Sequence, residues 1–509
     1  MGHLRAPGYG RRATENELRA SGFGLRAAGA CGAIVLGLLF LAPLPRAMAA
    51  QAPAAAAAAE PAPGPVWPRL SPAERDQVMT FGEDFKAFMT KAKSEMTFVH
   101  EAIGYAEAHG FKRWSPDVPK AALTPGSRWY AVNRDRTIAL FVIGRDPVTS
   151  GTRIVNAHID AVRIELKPKP FRTSFDVEMM VTQPHGGLKN YQWVNRPLAL
   201  IGRIDKTDGK TIWVDIGNDP GDPVFVIPDL APHVDKDFRD RKSHDVIGTE
   251  EMRPILAMTA RDAMAALKAK YGVTESDFLS ADLQLVPADP PRDVGLDRQL
   301  MGLYGDDDRL SGYANIRAIA EVTVPEKTAI AYCVNNEEVN SWDTGVQSQW
   351  FSTLVAEIIN VQEGRYDELM LRHAYEHSQA LESDCTTALN PLFPQPQDPV
   401  AASRLGWGLA VKEYGSGKQA LSEYFAKVRR IFDDNGVLWQ THSYKAGYGG
   451  GTIAQWFANA NIDVIDVGVG ILSMHSPMDI SSKADLWELY RGFKAFLGAP
   501  MAPAAAAAR

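Results

Sequence analysis

Two adjacent acids stand where an apolar run leaves the core. In "AIAYCVNNEEVNSWDTGVQ", residues 329–347, the run over 329–334 reads as a buried strand, and Glu337 and Glu338 follow it. Like charges at the rim of a core are costly unless something positive neutralises them. Other acids and histidines fall at the ends of predicted strands in the same way. "NAHID" supplies His158 and Asp160, "YGDDDRLSGY" supplies Asp306, Asp307 and Asp308, "LESDCTTALNP" supplies Asp384, and "LSMHSPMD" supplies His475. Two imidazoles with several carboxylates form a donor set suited to zinc, cobalt or manganese. A pair of divalent cations would neutralise the acids. Each residue alone also has a plainer reading: a structural histidine, a solvated Asp-rich turn, a charged surface.

Something must bring these strand ends together. After residue 284 the chain alternates between strands, such as "KTAIAYCVNN" and "DVIDVGVGIL", and helices, such as "QSQWFSTLVAEIINV" and "ADLWELYRGFKAFLG". That alternation predicts an α/β fold, a mixed sheet flanked by helices, with chemistry on the loops at strand ends. From residue 173 to about 248 the pattern is strand-rich with turn signals at "HGG", "KTDGKT" and "GNDPGDP", which predicts an inserted β-rich domain. "EEMRPILAMTARDAMAALKAKYG", residues 250–272, reads as a helix closing the insert. A helix from Pro72 is announced by Ser71 as N-cap with Glu74 three residues on.

The expected organisation is a signal peptide over 1–49, an Ala/Pro-rich linker over 50–68, and a first catalytic segment over 69–170. An inserted β-rich domain over 171–283, a second catalytic segment over 284–499 and a disordered tail over 500–509 complete it. The signal peptide rests on Arg26, the apolar run over 27–44 and the small-x-small pattern at Ala47, Met48 and Ala49. It predicts an exported protein, periplasmic or secreted, with no stable membrane insertion after cleavage. Only Cys333 and Cys385 remain in the mature chain, which is no disulfide framework; both read as buried core thiols. A net charge of −7 offers no basic surface for phosphates, so nucleic acid is excluded as the main partner.

"YGDDDRLSGYANIRAI", "NNEEVNSWDTG", "SDCTTALNP" and "GGGTIAQWFANANIDVIDVGVGILSMHSPMD", in this order, resemble the aminopeptidase I/aspartyl aminopeptidase family of zinc exopeptidases. "HGGLKNYQWVNRPLALIGRI" is similar to that family's inserted domain. The likeness spans residues 69–498. It is closer to the bacterial aminopeptidase I branch, which carries a "DDR" loop, than to the eukaryotic aspartyl branch, which carries "LDN".

The resemblance implies a metallo-aminopeptidase with two divalent ions per chain, zinc first, cobalt or manganese as alternatives. His158 and Asp384 would hold one ion, Glu338 and His475 the other, and Asp307 would bridge them. The three-Asp run also allows a register in which Asp308 bridges. Asp160 would orient His158, and Glu337 would be the general base. His185 is the nearest candidate for a histidine that reaches a neighbouring subunit's site. Asn335, Asn340 and Ser341 depart from the family's pattern around the glutamate pair. The implied substrates are peptides with a free N-terminus, and the implied assembly is a homo-oligomer, with a dodecamer as the family's form. The alternatives are another amidohydrolase on the same site, a carboxypeptidase or deacylase, or an inactive exported binding protein.

Overall fold

The run that ends before the two glutamates is a strand, Thr328–Val334, buried along its whole length. Side chains alternate across a strand, so it feeds two cores. Ala329, Ala331 and Cys333 pack on one side with Leu310 and Phe493. Ile330, Tyr332 and Val334 pack on the other with Phe351 and Leu354. A strand buried on both faces reads as a continuous apolar run, and that is what the sequence displays. The structure is a computed structural model that describes residues 64–339, 343–412, 414–415 and 418–500. The predicted signal peptide, residues 50–63 of the predicted linker and residues 501–509 of the predicted tail lie outside the described residues.

Thr328–Val334 belongs to a nine-stranded mixed sheet. It pairs in parallel with Thr152–His158, which pairs in parallel with Gln379–Ser383, which pairs in parallel with Asp463–Gly468. Val334 stands opposite His158, and Ala157 opposite Ser383, so these strands finish level at one edge. The helices Pro72–Lys91, Glu95–Ala108, Asp306–Glu321, Ser422–Asp434 and Lys483–Gly498 cover one face. Trp350–Glu363, Glu368–Glu376 and Ala454–Asn459 cover the other. The Pro72–Lys91 helix starts with the predicted reciprocal cap. The Glu74 amide donates to Ser71 Oγ at 3.3 Å and the Ser71 amide donates to the Glu74 carboxylate at 2.7 Å.

Between Thr152–His158 and the second half of this sheet the chain builds another. Six antiparallel strands run in the order Thr211–Ile216, Leu198–Asp205, Ala281–Pro287, Arg163–Ser174, Val177–His185, Ile255–Ala257. Trp193, Leu200, Leu267 and Phe278 pack within its core. A three-stranded sheet joins Arg292–Val294, Leu300–Leu303 and Asp479–Ser482. Its Leu303–Asp479 pairing brings the Asp-rich turn beside the loop that carries His475.

Two local expectations are corrected. The helix read over 250–272 occupies only Ala260–Tyr271, after a 3-10 turn at Thr249–Glu251 and a strand at Ile255–Ala257. Pro254 has no amide to donate into a helix, and Thr259 caps the true start by accepting from the Asp262 amide at 3.1 Å. The end of the predicted linker is part of the fold: Val66 is fully buried and its amide donates to Gly406 O at 2.7 Å.

Candidate metal centre and active site

The level strand ends gather the predicted residues. His158 is the last residue of its strand, Asp384 follows Ser383 directly, and Glu337 and Glu338 follow Val334 by three and four positions. Asp306, Asp307 and Asp308 open the Asp306–Glu321 helix, with non-helical backbone at Asp307 and Asp308 and a cis peptide between them. His475 arrives on a loop with φ 65°.

Two clusters result, and Asp307 is common to both. His158, Asp307 and Asp384 form one; Asp307, Glu338 and His475 form the other. His158 Nε2 lies 3.5 Å from Asp307 Oδ1 and 3.9 Å from Asp384 Oδ1. His475 Nε2 lies 3.1 Å from Asp307 Oδ2 and 3.4 Å from Glu338 Oε1. A tetrahedral zinc with arms of about 2.0–2.1 Å has ligand atoms about 3.3 Å apart, so the donors stand at coordination spacing. Asp308 is fully buried and comes within ligand reach of Asp307 and Cys385, with no imidazole in its group.

The donors also fit a cation by their electrostatics. Asp307 Oδ1 and Glu338 Oε1 are buried and make no hydrogen bond. Burial, and then the Asp307 charge, push Glu338 up to about 8. Burial likewise pushes Asp384 up to about 8, although Lys412 works against it. Burial disfavours the His475 cation, yet the Asp307 carboxylate outweighs it and lifts the imidazole to about 10. Beside burial, the Asp307 charge acts in the same sense on all three groups, the sense that favours a positive neighbour.

Glu337 differs from Glu338. Both line a cleft of about 660 Å³ that also exposes His158, Asp307, Asp384 and His475, but Glu337 belongs to neither cluster. Burial raises the pKa of the Glu337 carboxyl above the ordinary carboxylate value, against the pull of the His158 charge.

Asp160 does more than the sequence reading assigned to it. His158 Nδ1 lies 3.0 Å from Asp160 O and 3.4 Å from Asp160 Oδ1, which directs Nε2 into the cleft. The same carboxylate accepts from the amides of Glu337, at 3.0 Å on Oδ1, and Glu338, at 3.2 Å on Oδ2. One buried side chain therefore holds both a histidine and the turn that carries the glutamates.

His185, the candidate for a neighbouring subunit's site, lies beside Asp160 of its own chain. It is only 5% exposed, with Nε2 3.1 Å from Asp160 Oδ2 and Nδ1 2.9 Å from Glu165 Oε1. Both ring nitrogens are thus engaged by its own chain. Asn335 is buried and bonded to Thr344, whereas Asn340 and Ser341 lie outside the described residues. Cys333 and Cys385 are free, buried thiols.

Sequence reasoning missed the far wall of the cleft, where Lys412, His442 and Tyr444 stand. Lys412 Nζ donates to Asp384 O at 2.9 Å. His442 accepts from the Ser403 amide on Nδ1 at 3.3 Å and meets Thr386 Oγ1 on Nε2 at 2.8 Å. Burial, and then the Lys412 charge, lower His442 to about 3, so the ring is neutral. The only available signal was Lys412 near a strand end and the aromatic, Gly-rich run "THSYKAGYGGG".

A family model described as aminopeptidase I zinc metalloprotease (M18) matches residues 88–497. The chain belongs to the M18 family of aminopeptidases. A probable M18 family aminopeptidase 1 of Clostridium acetobutylicum is 37% identical over 452 residues, which is 85% of this chain and 97% of that relative. The crystal structure of an M18 aminopeptidase from Thermotoga maritima matches with a TM-score of 0.80 at 33% identity, over 86% of this chain and 99% of that one. The mApe1 dodecamer of S. cerevisiae shares the fold, with a TM-score of 0.69 at 20% identity over 82% of this chain and 97% of that one. This M18 aminopeptidase is a metal-dependent peptide hydrolase on a mixed α/β scaffold with a β-rich insert.

Proposed function

We propose that the protein removes N-terminal amino acids from peptides through two divalent ions and a glutamate base. The observation that carries this reading is the pair of donor clusters sharing Asp307, with Glu337 in the same cleft and in neither cluster. His158 and Asp384 would hold one ion, Glu338 and His475 the other, and Asp307 would touch both. When bound, the ions polarise the scissile carbonyl and lower the pKa of the attacking water. Glu337 accepts that water's proton and returns it to the leaving amine. Asp160 holds the Glu337 amide, so the base meets its proton from a fixed backbone. Zinc suits two imidazoles with three carboxylates, and cobalt or manganese would suit them too.

The test is a panel of aminoacyl-p-nitroanilides beside their N-acetylated forms, with and without a chelator. Cleavage of the free-amine substrates alone, lost on chelation and restored by zinc, is the expected result. Equal cleavage of acetylated substrates points to a deacylase or another amidohydrolase, and full activity after exhaustive metal removal contradicts the reading.

Two further readings belong with it. The chain self-associates through the segment 171–283, a reading supported by the mApe1 dodecamer that shares its fold. Light scattering on the purified protein reads the oligomer directly, and a monomer at micromolar concentration overturns this. The chain is exported and cut near Ala49 or Ala50, so N-terminal sequencing from the native cell should find a mature start at 50 or 51. A cytoplasmic chain that keeps Met1 overturns it.

A further inference from the structure

The insert touches the metal centre at two places through three consecutive residues. His185 ends the strand Val177–His185 and reaches Asp160 at 3.1 Å. Gly187 O lies 3.1 Å from His475 Nδ1, so an N–H donated there leaves Nε2 turned toward Asp307. Between them Gly186 has φ 76°, and a Cβ at that position would stand 2.7 Å from Val162 Cγ1 and 3.0 Å from Glu338 Oε2. Only glycine lets the backbone pass this close to the glutamate in that conformation.

Behind His185 stands a continuous row of charge, buried except at Glu165, whose side chain is 23% exposed. Its Nδ1 meets Glu165 Oε1 at 2.9 Å, and Glu165 pairs with Arg163 at 2.9 Å. Arg163 lies 3.6 Å from Glu95, which accepts from Gln284 Nε2 at 2.8 Å. Arg163, Glu165, His185 and Gln284 all come from the six-stranded sheet, and Arg163 stands directly opposite His185 in it. Three neighbouring strands of the six-stranded sheet thus back one imidazole, and that imidazole meets the carboxylate that holds Glu337, Glu338 and His158.

We propose that His185 is a positioning residue of its own chain's active site: held by Glu165 and Arg163, it fixes Asp160 and through it the backbone of the glutamate pair. This rests on the two-metal reading and adds the insert to its machinery. Without His185, Asp160 keeps its two amide donors but loses its link to the insert, and its carboxylate is free to turn. The base then approaches the water less accurately, while the donors that bind metal and substrate stay in place.

The experiment compares His185→Leu and His185→Gln with wild type and Glu337→Gln, all zinc-loaded. Metal content, melting temperature and steady-state kinetics are read on each. Removing such a support is expected to lower kcat ~10–100-fold with KM within about twofold and metal retained. Glutamine still offers one N–H to Asp160, so His185→Gln should recover part of the loss and serves where leucine disturbs folding. Co-expression of His185→Leu chains with Glu337→Gln chains then separates own-chain from cross-chain action. A histidine acting across subunits would restore activity in mixed oligomers, whereas the proposal expects no more than the average of the two parents. Wild-type kcat in His185→Leu, a change confined to KM, or restored activity in the mixture overturns the proposal. If Glu337→Gln is itself fully active, the fault lies with the two-metal reading instead.

Discussion

The two donor clusters are built from different materials. His158 and Asp384 sit at the ends of adjacent parallel strands, and their side chains are 2% and 10% exposed. Glu338 and His475 stand on loops; His475 is 35% exposed and takes φ 65°, and the turn before Glu338 passes through Asn336 at φ 63°. One half inherits its geometry from sheet register. The other is set by hydrogen bonds: Asp160 to the Glu338 amide, Gly187 O to His475. A sheet-held pair keeps its spacing at no extra ordering cost, whereas a loop-held pair must be tied down by neighbours and opens locally with less free energy.

The largest expected effect removes the residue shared by both halves. Asp307→Ala should empty both clusters and abolish activity, because it withdraws a carboxylate from each. His158→Ala should empty only the sheet half and His475→Ala only the loop half, by elemental analysis after dialysis. If Asp308→Ala empties both clusters while Asp307→Ala spares one, the bridge is the next residue along.

Chelation of the wild-type protein sharpens the contrast. Release should be biphasic, with the ion at Glu338 and His475 leaving at lower chelator concentration than the ion at His158 and Asp384. His475→Ala should erase the early phase. A single cooperative release of both ions would mean the halves are not mechanically distinct.

A smaller effect reaches the sheet half through its support. His442 bonds Thr386, two residues beyond Asp384, and is neutral in the fold with its pKa near 3 because of burial and then Lys412. The unfolded ring protonates near 6.5, so between about pH 6.5 and 3 the unfolded chain binds more protons and stability falls as pH falls. The loss from this group should be about 1.4 kcal/mol by pH 5.5. His442→Gln, though less stable at pH 7, should lose less on acidification, as read from urea midpoints at pH 7 and 5.5. Identical acid slopes would show that His442 charges freely in the fold.

The same division explains what could be read from the sequence. The glutamate pair follows an apolar run, and a run buried on both faces marks a central strand whose end is a place for chemistry. The strands before His158 and Asp384 carry Arg153, Asn156 and Glu382, so these two residues were legible mainly through the family resemblance. The architecture followed from the alternation of such runs with helices. The supports did not. Asp160 was legible as a neighbour of His158, but its bonds to the Glu337 and Glu338 amides cross 177 and 178 positions of chain. Lys412, His442 and Tyr444 come from segments whose spacing says nothing of which wall they form. His185 read as a candidate to reach a neighbouring subunit, because a sequence does not reveal that Glu165 stands across the strand pair beside it. The helix expected at 250–272 was set by apolar period alone, against the break that Pro254 and Thr259 announce.

The account turns on two neighbouring acids having different tasks, and one paired measurement tests that directly: bound zinc and kcat for Glu337→Gln beside Glu338→Gln. Glu338→Gln should lose the loop-half ion and melt earlier, since metal binding is linked to folding. Glu337→Gln should keep both ions and its melting temperature while kcat falls ~10²–10⁴-fold with KM little changed, the scale of a lost general base. If Glu337→Gln loses metal and Glu338→Gln retains it, the two tasks are reversed, and if both variants keep metal and activity, the pair has no part in the chemistry.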